Sequence, residues 1–377
     1  MRLSLGPAIV LFTAMTTTIT ARAATYVYVS NAEDGNIGLY AMQPDGTLAP
    51  GEKFDVGAKP VMPMSISPDK KYLFAAVRSK PFTAVTFAID HKTGALKKVS
   101  SGPLAESFPY IRVDNSGHYL LGAAYFGNLV SVNPIGKDGT VGPPLQVVPT
   151  SRHAHSIITD KTGQWVFSPT LGTDQIFQFK LDKKTGKLSA NTPATVQVKM
   201  GSGPRHIIMS PDNKFAFVLT ELTGNVITLA LDAKTGLLTE QSSAAILPAD
   251  SKLVPGQPRT PPPPGTKPRD TSNEIWASDL HITPDGKFLY ATERTSSSIS
   301  AFSVDKATGK LTWLSNTPTE KQPRGFGMDP SGKHLVVTGE KSETISTYKI
   351  DGATGALTLI QKYPTGKGSN WVEILTL

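Results

Sequence analysis

The sequence predicts an all-β fold, a seven-bladed β-propeller of four-stranded blades whose ring is closed by pairing of the N- and C-terminal strands. A strand that begins with an aromatic residue returns about every 46 residues, and each time a second strand and a turn containing glycine follow it. Four short strands in a unit of this length are typical of propellers. A sandwich or a barrel is the competing all-β arrangement, but neither requires so regular a repeat. The mature chain has no helical periodicity of useful length.

The repeated strands and turns indicate how many blades to expect. The residues that begin the strands are Tyr26, Tyr72, Tyr119, Trp165, Phe215, Phe288 and, in place of an aromatic residue, His334. The turns that follow contain Gly46, Gly94, Gly139, Gly186, Gly236, Gly309 and Gly355. Glycine supplies the positive φ angle that tight hairpin turns require. Seven units therefore predict seven blades.

The two ends of the chain complement each other. The chain begins at the second strand of its unit, at Tyr26, and ends with Trp371–Leu377, which has the place of a first, innermost strand. We expect the C-terminal strand to complete the blade that the N-terminus begins. Such closure leaves neither strand with an unpaired edge.

The N-terminal residues have the pattern of a secretory signal peptide. Arg2 supplies a positive charge, an apolar stretch follows, and Ala21-Arg22-Ala23 is an A-x-A cleavage pattern. The apolar core is short and Pro7 interrupts it, which favours a leader over a membrane anchor. We expect residues 1–23 to be removed after Ala23, the mature protein to be periplasmic or secreted, and residues 24–377 to form one propeller domain.

Composition excludes several classes of site and partner. The chain has no cysteine, so an exported form has no disulfides, no zinc–thiolate site and no cysteine nucleophile. Its net charge of +8 falls to +6 when the leader takes Arg2 and Arg22 with it. No basic run is interleaved with aromatic residues, so nucleic-acid binding is not expected. No later stretch is apolar and long enough to span a membrane.

One spacing in the repeat is longer than the others. Between Phe215 and Phe288 the chain holds an insertion, Pro248–Asp270, that carries the run PGQPRTPPPPGTKPR. Proline-rich runs adopt extended polyproline conformations and do not pair within a sheet. We expect a loop within or beside the fifth and sixth units. An exposed loop is the simplest interpretation, and partner binding is the alternative.

The chemistry of a propeller is expected at one mouth of its central channel. Residues just before the innermost strands and just after the second strands meet there. The candidates at these positions are Arg78, His155, Arg205, Glu221, Asp279, His281, Arg294 and Arg324. Paired arginines and carboxylates with histidine suit an anionic or polyhydroxylated substrate.

Several of these residues also have a purely structural interpretation. Arg205 and Glu221 can form a simple ion pair, Asp279 can accept a hydrogen bond between blades, and His281 can be structural. Because strand residues alternate, one of Arg205 and His206 is expected to face the packing. The sequence has no GxSxG nucleophile elbow and no Walker A motif, and the HAH run at 153–155 is too short to indicate a metal site. Neither a metal nor a cofactor is predicted.

The motifs at these positions resemble one known family. They are AHS at His155, GPRH at Arg205, TELTG at Glu221, SDLHITPDG at 278–286, TERT at 292–295, QPRGF at 322–326, GEKS at 339–342 and NWV at 370–372. Together they resemble the bacterial β-propeller lactonase family, which includes cytoplasmic 6-phosphogluconolactonases and is related to fungal carboxymuconate lactonising enzymes. The resemblance covers essentially the whole mature chain. It implies a seven-bladed propeller, lactone-ring chemistry, and His155, Arg205 and Glu221 as catalytic residues.

The leader and the insertion depart from the cytoplasmic sugar-phosphate enzymes. Glucose oxidation in a periplasm yields unphosphorylated glucono-1,5-lactone, so we expect an exported lactonase that hydrolyses this or a related aldonolactone. Glu221 or His155 would activate water, and Arg205 would stabilise the oxyanion, with Arg324 as a candidate helper. The residues expected to bind the sugar lactone are Arg78, Asp279, His281, Arg294 and Arg324. A 6-phosphogluconolactonase, a muconate-type cycloisomerase and a non-enzymatic binding propeller remain alternatives.

Overall fold

The computed structural model describes residues 23–262 and 264–377, and it confirms the predicted propeller. Seven antiparallel sheets of four strands form the described part of the chain. In order from the channel outward, blade 1 contains β28 (Ser369–Thr376), β1 (Thr25–Asn31), β2 (Asn36–Met42) and β3 (Leu48–Asp55). Blade 2 contains β4 (Val61–Ile66), β5 (Tyr72–Val77), β6 (Thr83–Ile89) and β7 (Leu96–Pro103). Blade 3 contains β8 (Tyr110–Val113), β9 (Tyr119–Ala124), β10 (Leu129–Pro134) and β11 (Gln146–Pro149).

The other four blades have the same order. Blade 4 contains β12 (Ile158–Thr159), β13 (Trp165–Thr170), β14 (Gln175–Leu181) and β15 (Leu188–Gln197). Blade 5 contains β16 (Pro204–Met209), β17 (Phe215–Thr220), β18 (Asn225–Leu231) and β19 (Leu238–Ala245). Blade 6 contains β20 (Ala277–Ile282), β21 (Phe288–Glu293), β22 (Ser298–Val304) and β23 (Leu311–Pro318). Blade 7 contains β24 (Phe326–Met328), β25 (His334–Val337), β26 (Thr344–Ile350) and β27 (Leu357–Pro364).

The ring closes in blade 1, as the two ends of the sequence predict. Strand β28 pairs antiparallel with β1, from Thr25 opposite Thr376 to Val29 opposite Val372. The pairing places the C-terminal strand innermost in a blade whose other three strands come from the N-terminus. The two termini of the propeller therefore stabilise one another within a single sheet.

The aromatic residues and the turn glycines of the repeat contact each other across neighbouring blades. The ring of Tyr26 packs on Gly94 of the next blade, the ring of Trp165 packs on Gly236, and the contact between His334 and Gly46 completes the circle. All seven glycines have positive φ, and a Cβ on any of them would lie under 3.0 Å from the neighbouring ring. Glycine is therefore required twice, by the turn and by the packing.

This double requirement predicts the effect of a glycine substitution. Gly236→Ala is expected to destabilise the protein by roughly 1–3 kcal/mol more than Gly201→Ala, because overpacking is added to backbone strain. Gly201 has a similar φ of 75° against 72°, but its Cβ would meet nothing within 4 Å. Chemical denaturation of both variants measures the difference. Equal losses would show that the aromatic contact adds nothing to the conformational requirement.

The second strand of each blade forms the rigid part of the scaffold. Every residue of β13, β17 and β21 is buried, whereas most of β3, at the rim, is exposed. Apolar clusters fill the space between neighbouring sheets, for example Phe167 and Ile207 between blades 4 and 5. The residues that directly follow a second strand, such as Glu221 after β17, are therefore attached to a well-packed strand.

Two further segments were predicted, the leader and the insertion. The expected leader falls on residues that are outside the described part of the chain, apart from Ala23. The insertion, residues 248–270, lies between β19 and β20, and its described residues, 248–262 and 264–270, form one isolated bridge, between Val254 and Glu274. Among the described residues, no helix has the length and apolar character needed to cross a membrane.

Candidate active site

A buried ionic cluster lies at the predicted mouth of the channel. Arg205 lies near the start of β16, and Glu221 follows the end of β17, so the strand pairing brings them together. Glu221 Oε2 lies 2.7 Å from Arg205 Nε and 3.0 Å from Arg294 Nη2. The exposed fractions are only 1% for each arginine and 3% for the glutamate. A single oxygen of the Glu221 carboxylate thus pairs with two buried guanidinium groups.

Main-chain carbonyls at the start of β20 complete this cluster. Arg205 Nη1 donates to the carbonyl oxygen of Ser278. Arg294 donates to the carbonyl oxygens of Trp276 and Ala277, each at 3.1 Å. Because guanidinium donors are planar and rigid, these contacts fix the orientation of both arginines.

The cluster is charged at neutral pH. Burial lowers the pKa of Arg205 to about 10 and that of Arg294 to about 9, in each case against the opposing effect of Glu221. Burial raises the pKa of Glu221, but the charges of Arg294, Arg205 and Arg324 outweigh it, and the net pKa is lowered. The site therefore carries two cations on one anion.

A β-bulge corrects one expectation from strand alternation. The register of β16 against β17 shifts between Pro204 and His206, and as a result Arg205 and His206 both face the site. Arg205 Nη1 lies 3.0 Å from His206 Nε2. The prediction that one of these two side chains faces the packing was wrong, because it assumed regular alternation through the start of the strand.

His155 lies within the electrostatic reach of this cluster and has an unengaged ring nitrogen. It is buried, and its Nδ1 has no hydrogen-bond partner. Its ring centroid lies 5.3 Å from that of His206 and 5.7 Å from that of Tyr125. Burial, followed by the charges of Arg205 and its neighbours, holds the pKa of His155 well below its usual value. The imidazole is therefore neutral at neutral pH.

His206, Asp279 and His281 form a chain that extends into the channel. Because arginine only donates, Nε2 of His206 accepts from Arg205 and its Nδ1 donates to Asp279 Oδ1 at 2.9 Å. Asp279 Oδ2 lies 3.3 Å from His281 Nε2 and accepts from the main-chain N–H of Phe326 at 3.3 Å. Asp279 thus connects blades 5, 6 and 7, as its structural interpretation suggested.

The two histidines of this chain lie at different depths. Burial, reinforced by Arg205, lowers the pKa of His206 to about 4. Burial raises the pKa of Asp279, but its histidine neighbours outweigh that effect and the net pKa is lowered. His281 lies two residues beyond Asp279, about 7 Å further along β20, and its ring is edge-on to Phe326. It therefore faces the deeper channel rather than the Glu221 cluster.

Arg324 and Arg78 are the two other arginines predicted at the mouth, and the charge of Arg324 acts on Arg205 and Glu221. Arg324 Nη1 is 3.4 Å from Glu340 Oε1. Arg78 donates to Ser107 Oγ and contacts Met62 Sδ, both at 2.9 Å. Within residues 23–262 and 264–377 no carboxylate lies at ion-pair distance from Arg78. Burial, with Arg324 nearby, lowers its pKa to about 10, so it remains a cation.

Three further residues at the mouth were not among the predicted site residues. Tyr125 follows β9 as Glu221 follows β17, so the repeat brings it to the mouth, although it was not chosen as a site residue. Its ring stacks on His153 at 4.1 Å, and its buried hydroxyl has no hydrogen-bond partner. Trp276 contacts two guanidiniums, those of Arg294 at 3.7 Å and Arg259 at 4.0 Å. Arg259 belongs to the insertion, where no repeat could identify it.

The described residues contain no group of three or more histidine or acidic side chains with the geometry of a metal site. The mouth instead presents buried arginines, a neutral imidazole and a carboxylate. Such a set can bind oxygen-rich or anionic groups, stabilise negative charge on oxygen and transfer a proton.

Comparison with known proteins agrees with both the fold and the motifs. The family model described as "Lactonase, 7-bladed beta-propeller" matches residues 26–374. A 6-phosphogluconolactonase of Pectobacterium carotovorum is 36% identical over 303 residues, which cover 80% of this chain and 84% of that protein. A 6-phosphogluconolactonase of Serratia proteamaculans is 37% identical over 310 residues, with the same coverage.

Among solved structures, the periplasmic gluconolactonase of Pseudomonas aeruginosa superposes with a TM-score of 0.81. The match covers 93% of this chain and 99% of that one at 24% identity, and it supports the fold alone. The family model spans nearly all of the described propeller, and the two 6-phosphogluconolactonases share more than a third of the aligned residues with this chain. The chain is therefore a lactone-hydrolysing carboxylic-ester hydrolase and belongs to the seven-bladed β-propeller lactonase family.

Proposed function

We propose that this channel mouth hydrolyses the ring ester of an aldonolactone, and that the mature protein does so outside the cytoplasm on glucono-1,5-lactone. The observation that carries the proposal is the position of a buried, neutral His155 beside the arginines that Glu221 holds. Lactone hydrolysis requires a proton acceptor for water, a cation for the developing oxyanion and a proton for the departing alkoxide. The mouth contains a candidate for each of these roles.

The reaction then has two steps. His155 takes a proton from water as the water oxygen bonds to the lactone carbonyl carbon, and the electron pair of the carbonyl moves onto its oxygen. Arg205, with Arg324 beside it, stabilises that oxyanion. When the oxyanion collapses, the bond from the carbonyl carbon to the ring oxygen breaks, and His155 returns its proton to that oxygen. The product is the open-chain aldonic acid.

Glu221 has a positioning role in this proposal rather than that of the base. Its Oε2 is already engaged with Arg205 and Arg294, and its charge is the counter-charge that both buried guanidinium groups require. His155 has an unengaged Nδ1. Of the two bases that the sequence left open, we therefore assign the proton transfer to His155.

This assignment predicts how activity depends on pH. The base must be neutral in the free enzyme, and the pKa of His155 lies well below the usual histidine value of 6.5. The neutral fraction is therefore nearly complete at pH 6.5 and falls only at lower pH. We expect kcat/KM, corrected for spontaneous hydrolysis, to stay constant as the pH is lowered through 6.5. A loss of half the activity near that pH would contradict the assignment.

Two substrates of this class have separate support. The leader that the sequence predicts favours glucono-1,5-lactone, since the phosphorylated lactone forms inside the cell. The curated relatives are named 6-phosphogluconolactonase. Arg78, which has no carboxylate at ion-pair distance among the described residues, also favours a substrate with an anionic group. We place glucono-1,5-lactone first and its 6-phosphate second.

The test is proton release by the purified mature protein from the two lactones, at slightly acidic pH where spontaneous hydrolysis is slow. A higher kcat/KM for the unphosphorylated lactone supports the proposal as stated. A preference for the 6-phosphate keeps the lactonase mechanism and overturns the choice of substrate. Release at the spontaneous rate with both would overturn aldonolactone hydrolysis and favour the muconate-type or binding alternatives.

A further inference from the structure

The first part of the proline-rich insertion, around Val254 and Gly256, lies beside the ionic cluster. The main-chain N–H of Gly256 donates to the carbonyl oxygen of Leu222, the residue after Glu221, at 2.8 Å. Val254 exchanges main-chain hydrogen bonds of 2.9 Å with Asn273 and Ile275, which precede β20. A Cβ on Gly256 would lie 2.5 Å from the carbonyl oxygen of Ile275, so glycine permits this close approach.

Side chains connect the two arms of the insertion. Arg269 forms an ion pair with Glu274 and donates to the carbonyl oxygen of Gln257 at 3.2 Å. Arg259 Nη1 donates to Thr271 Oγ1 at 2.6 Å. The insertion is thus anchored to the propeller at the mouth, rather than being only the exposed loop of the simplest interpretation.

Arg259 is the residue by which the insertion reaches the site. Its guanidinium lies 4.0 Å from the indole ring of Trp276, which Arg294 also contacts. Its main-chain N–H lies beside the hydroxyl of Tyr125 and lowers the pKa of that group, against the larger effect of burial. Burial lowers the pKa of Arg259 itself, while the negative charge of Glu221 acts in the opposite direction. Arg259 and Glu221 therefore share one electrostatic environment.

One end of this guanidinium is without a protein partner. Arg259 Nη2 is buried and makes no hydrogen bond, and within residues 23–262 and 264–377 no carboxylate lies at ion-pair distance from Arg259. A buried donor without an acceptor is costly, and arginine cannot lose its proton to avoid the cost. The hydroxyl of Tyr125, which lies beside the main-chain N–H of Arg259, is a second buried polar atom at the same place. Both atoms suit an oxygen-rich group of a ligand.

We propose that Arg259 is a substrate-binding residue supplied by the insertion, and that it donates hydrogen bonds to the oxygen-rich end of the lactone away from the reacting carbonyl. This inference rests on the proposed function. The hydroxyl groups of an aldonolactone and the phosphate of its 6-phosphate share the required chemistry, since both present oxygen acceptors to a cation. The insertion thereby contributes to specificity without taking part in the proton transfer.

The test compares Arg259→Ala, Arg259→Lys and Lys267→Ala in steady-state kinetics with both lactones. Arg259→Ala is expected to raise KM roughly tenfold and to leave kcat within about twofold, with a larger increase in KM for the 6-phosphate if that lactone is the true substrate. Arg259→Lys should fall between it and the wild type, because lysine keeps the charge but not the planar fork. Lys267→Ala removes the same charge from an exposed position of the insertion and should match the wild type.

The outcomes separate this inference from the proposed function. An unchanged KM in Arg259→Ala, with lactone turnover intact, would overturn the inference and leave the function standing. A parallel fall in kcat and melting temperature would also overturn it, since that pattern indicates a structural role. If the wild type turns over neither lactone, calorimetry with gluconate and with inorganic phosphate replaces kinetics. Weaker binding by Arg259→Ala than by Lys267→Ala then supports the contact, and equal or undetectable binding by both overturns it.

Discussion

Replacing His155 with asparagine is expected to lower kcat for lactone hydrolysis by about 10²–10⁴-fold, the range that a positioned general base contributes. KM should change little, because the arginines that bind the substrate remain in place. Asparagine fills part of the same buried space but cannot accept the proton from water. Steady-state proton release and a thermal melt of the same preparation measure both quantities.

The matched control for this prediction is His118→Asn. His118 is an exposed histidine in a turn outside the mouth, so its replacement should leave kcat and KM at the wild-type values. If His155→Asn is folded and retains the wild-type kcat, the proton transfer belongs to another group and the proposed mechanism is wrong.

Replacing Glu221 with glutamine is expected to have the largest effect on stability. The change removes the only carboxylate at ion-pair distance from Arg205 and Arg294 among the described residues, and it leaves two buried guanidiniums without a counter-charge. Removing one partner of a buried ionic group typically costs about 3–5 kcal/mol. Turnover should also fall, because the two arginines lose their common anchor. Chemical denaturation gives the free energy of unfolding.

Glu340→Gln is the control for the stability of Glu221→Gln. Glu340 pairs with Arg324 at a longer distance of 3.4 Å, and its side chain is 20% exposed, so the expected loss is only about 1 kcal/mol.

The contribution of Glu221 to stability should also depend on pH. Because the folded pKa of Glu221 is depressed, the stabilisation should be present above the unfolded pKa and be lost as pH falls through the folded pKa. Equal stability of Glu221→Gln and the wild type would show that the arginines need no buried counter-charge.

The fold could be predicted because its repeat contains both members of each contact between blades. The aromatic position and the turn glycine are separate signals in the repeat, and in the structure they pack on one another, as Tyr26 does on Gly94. The closure of the ring could be predicted as well, because the N-terminal unit lacked an innermost strand and the C-terminus supplied one.

The site could be predicted only in part. Arg205, Glu221 and Arg294 were identified because paired strands bring their ends to one edge. The bulge at Arg205 left no sequence signal, so the shared orientation of Arg205 and His206 was missed. His281 shares a motif with Asp279 but lies further along the strand, where it faces the deeper channel. Arg259 lies in an insertion that has no counterpart in the other repeats.

The most direct test of the central claim is the initial rate of proton release from glucono-1,5-lactone by the wild type, with folded His155→Asn as the blank. We predict a rate that rises in proportion to wild-type concentration, while the variant stays close to the spontaneous rate. A wild-type rate no higher than the spontaneous one, or a variant as fast as the wild type, would contradict the assignment of lactone hydrolysis to this channel mouth.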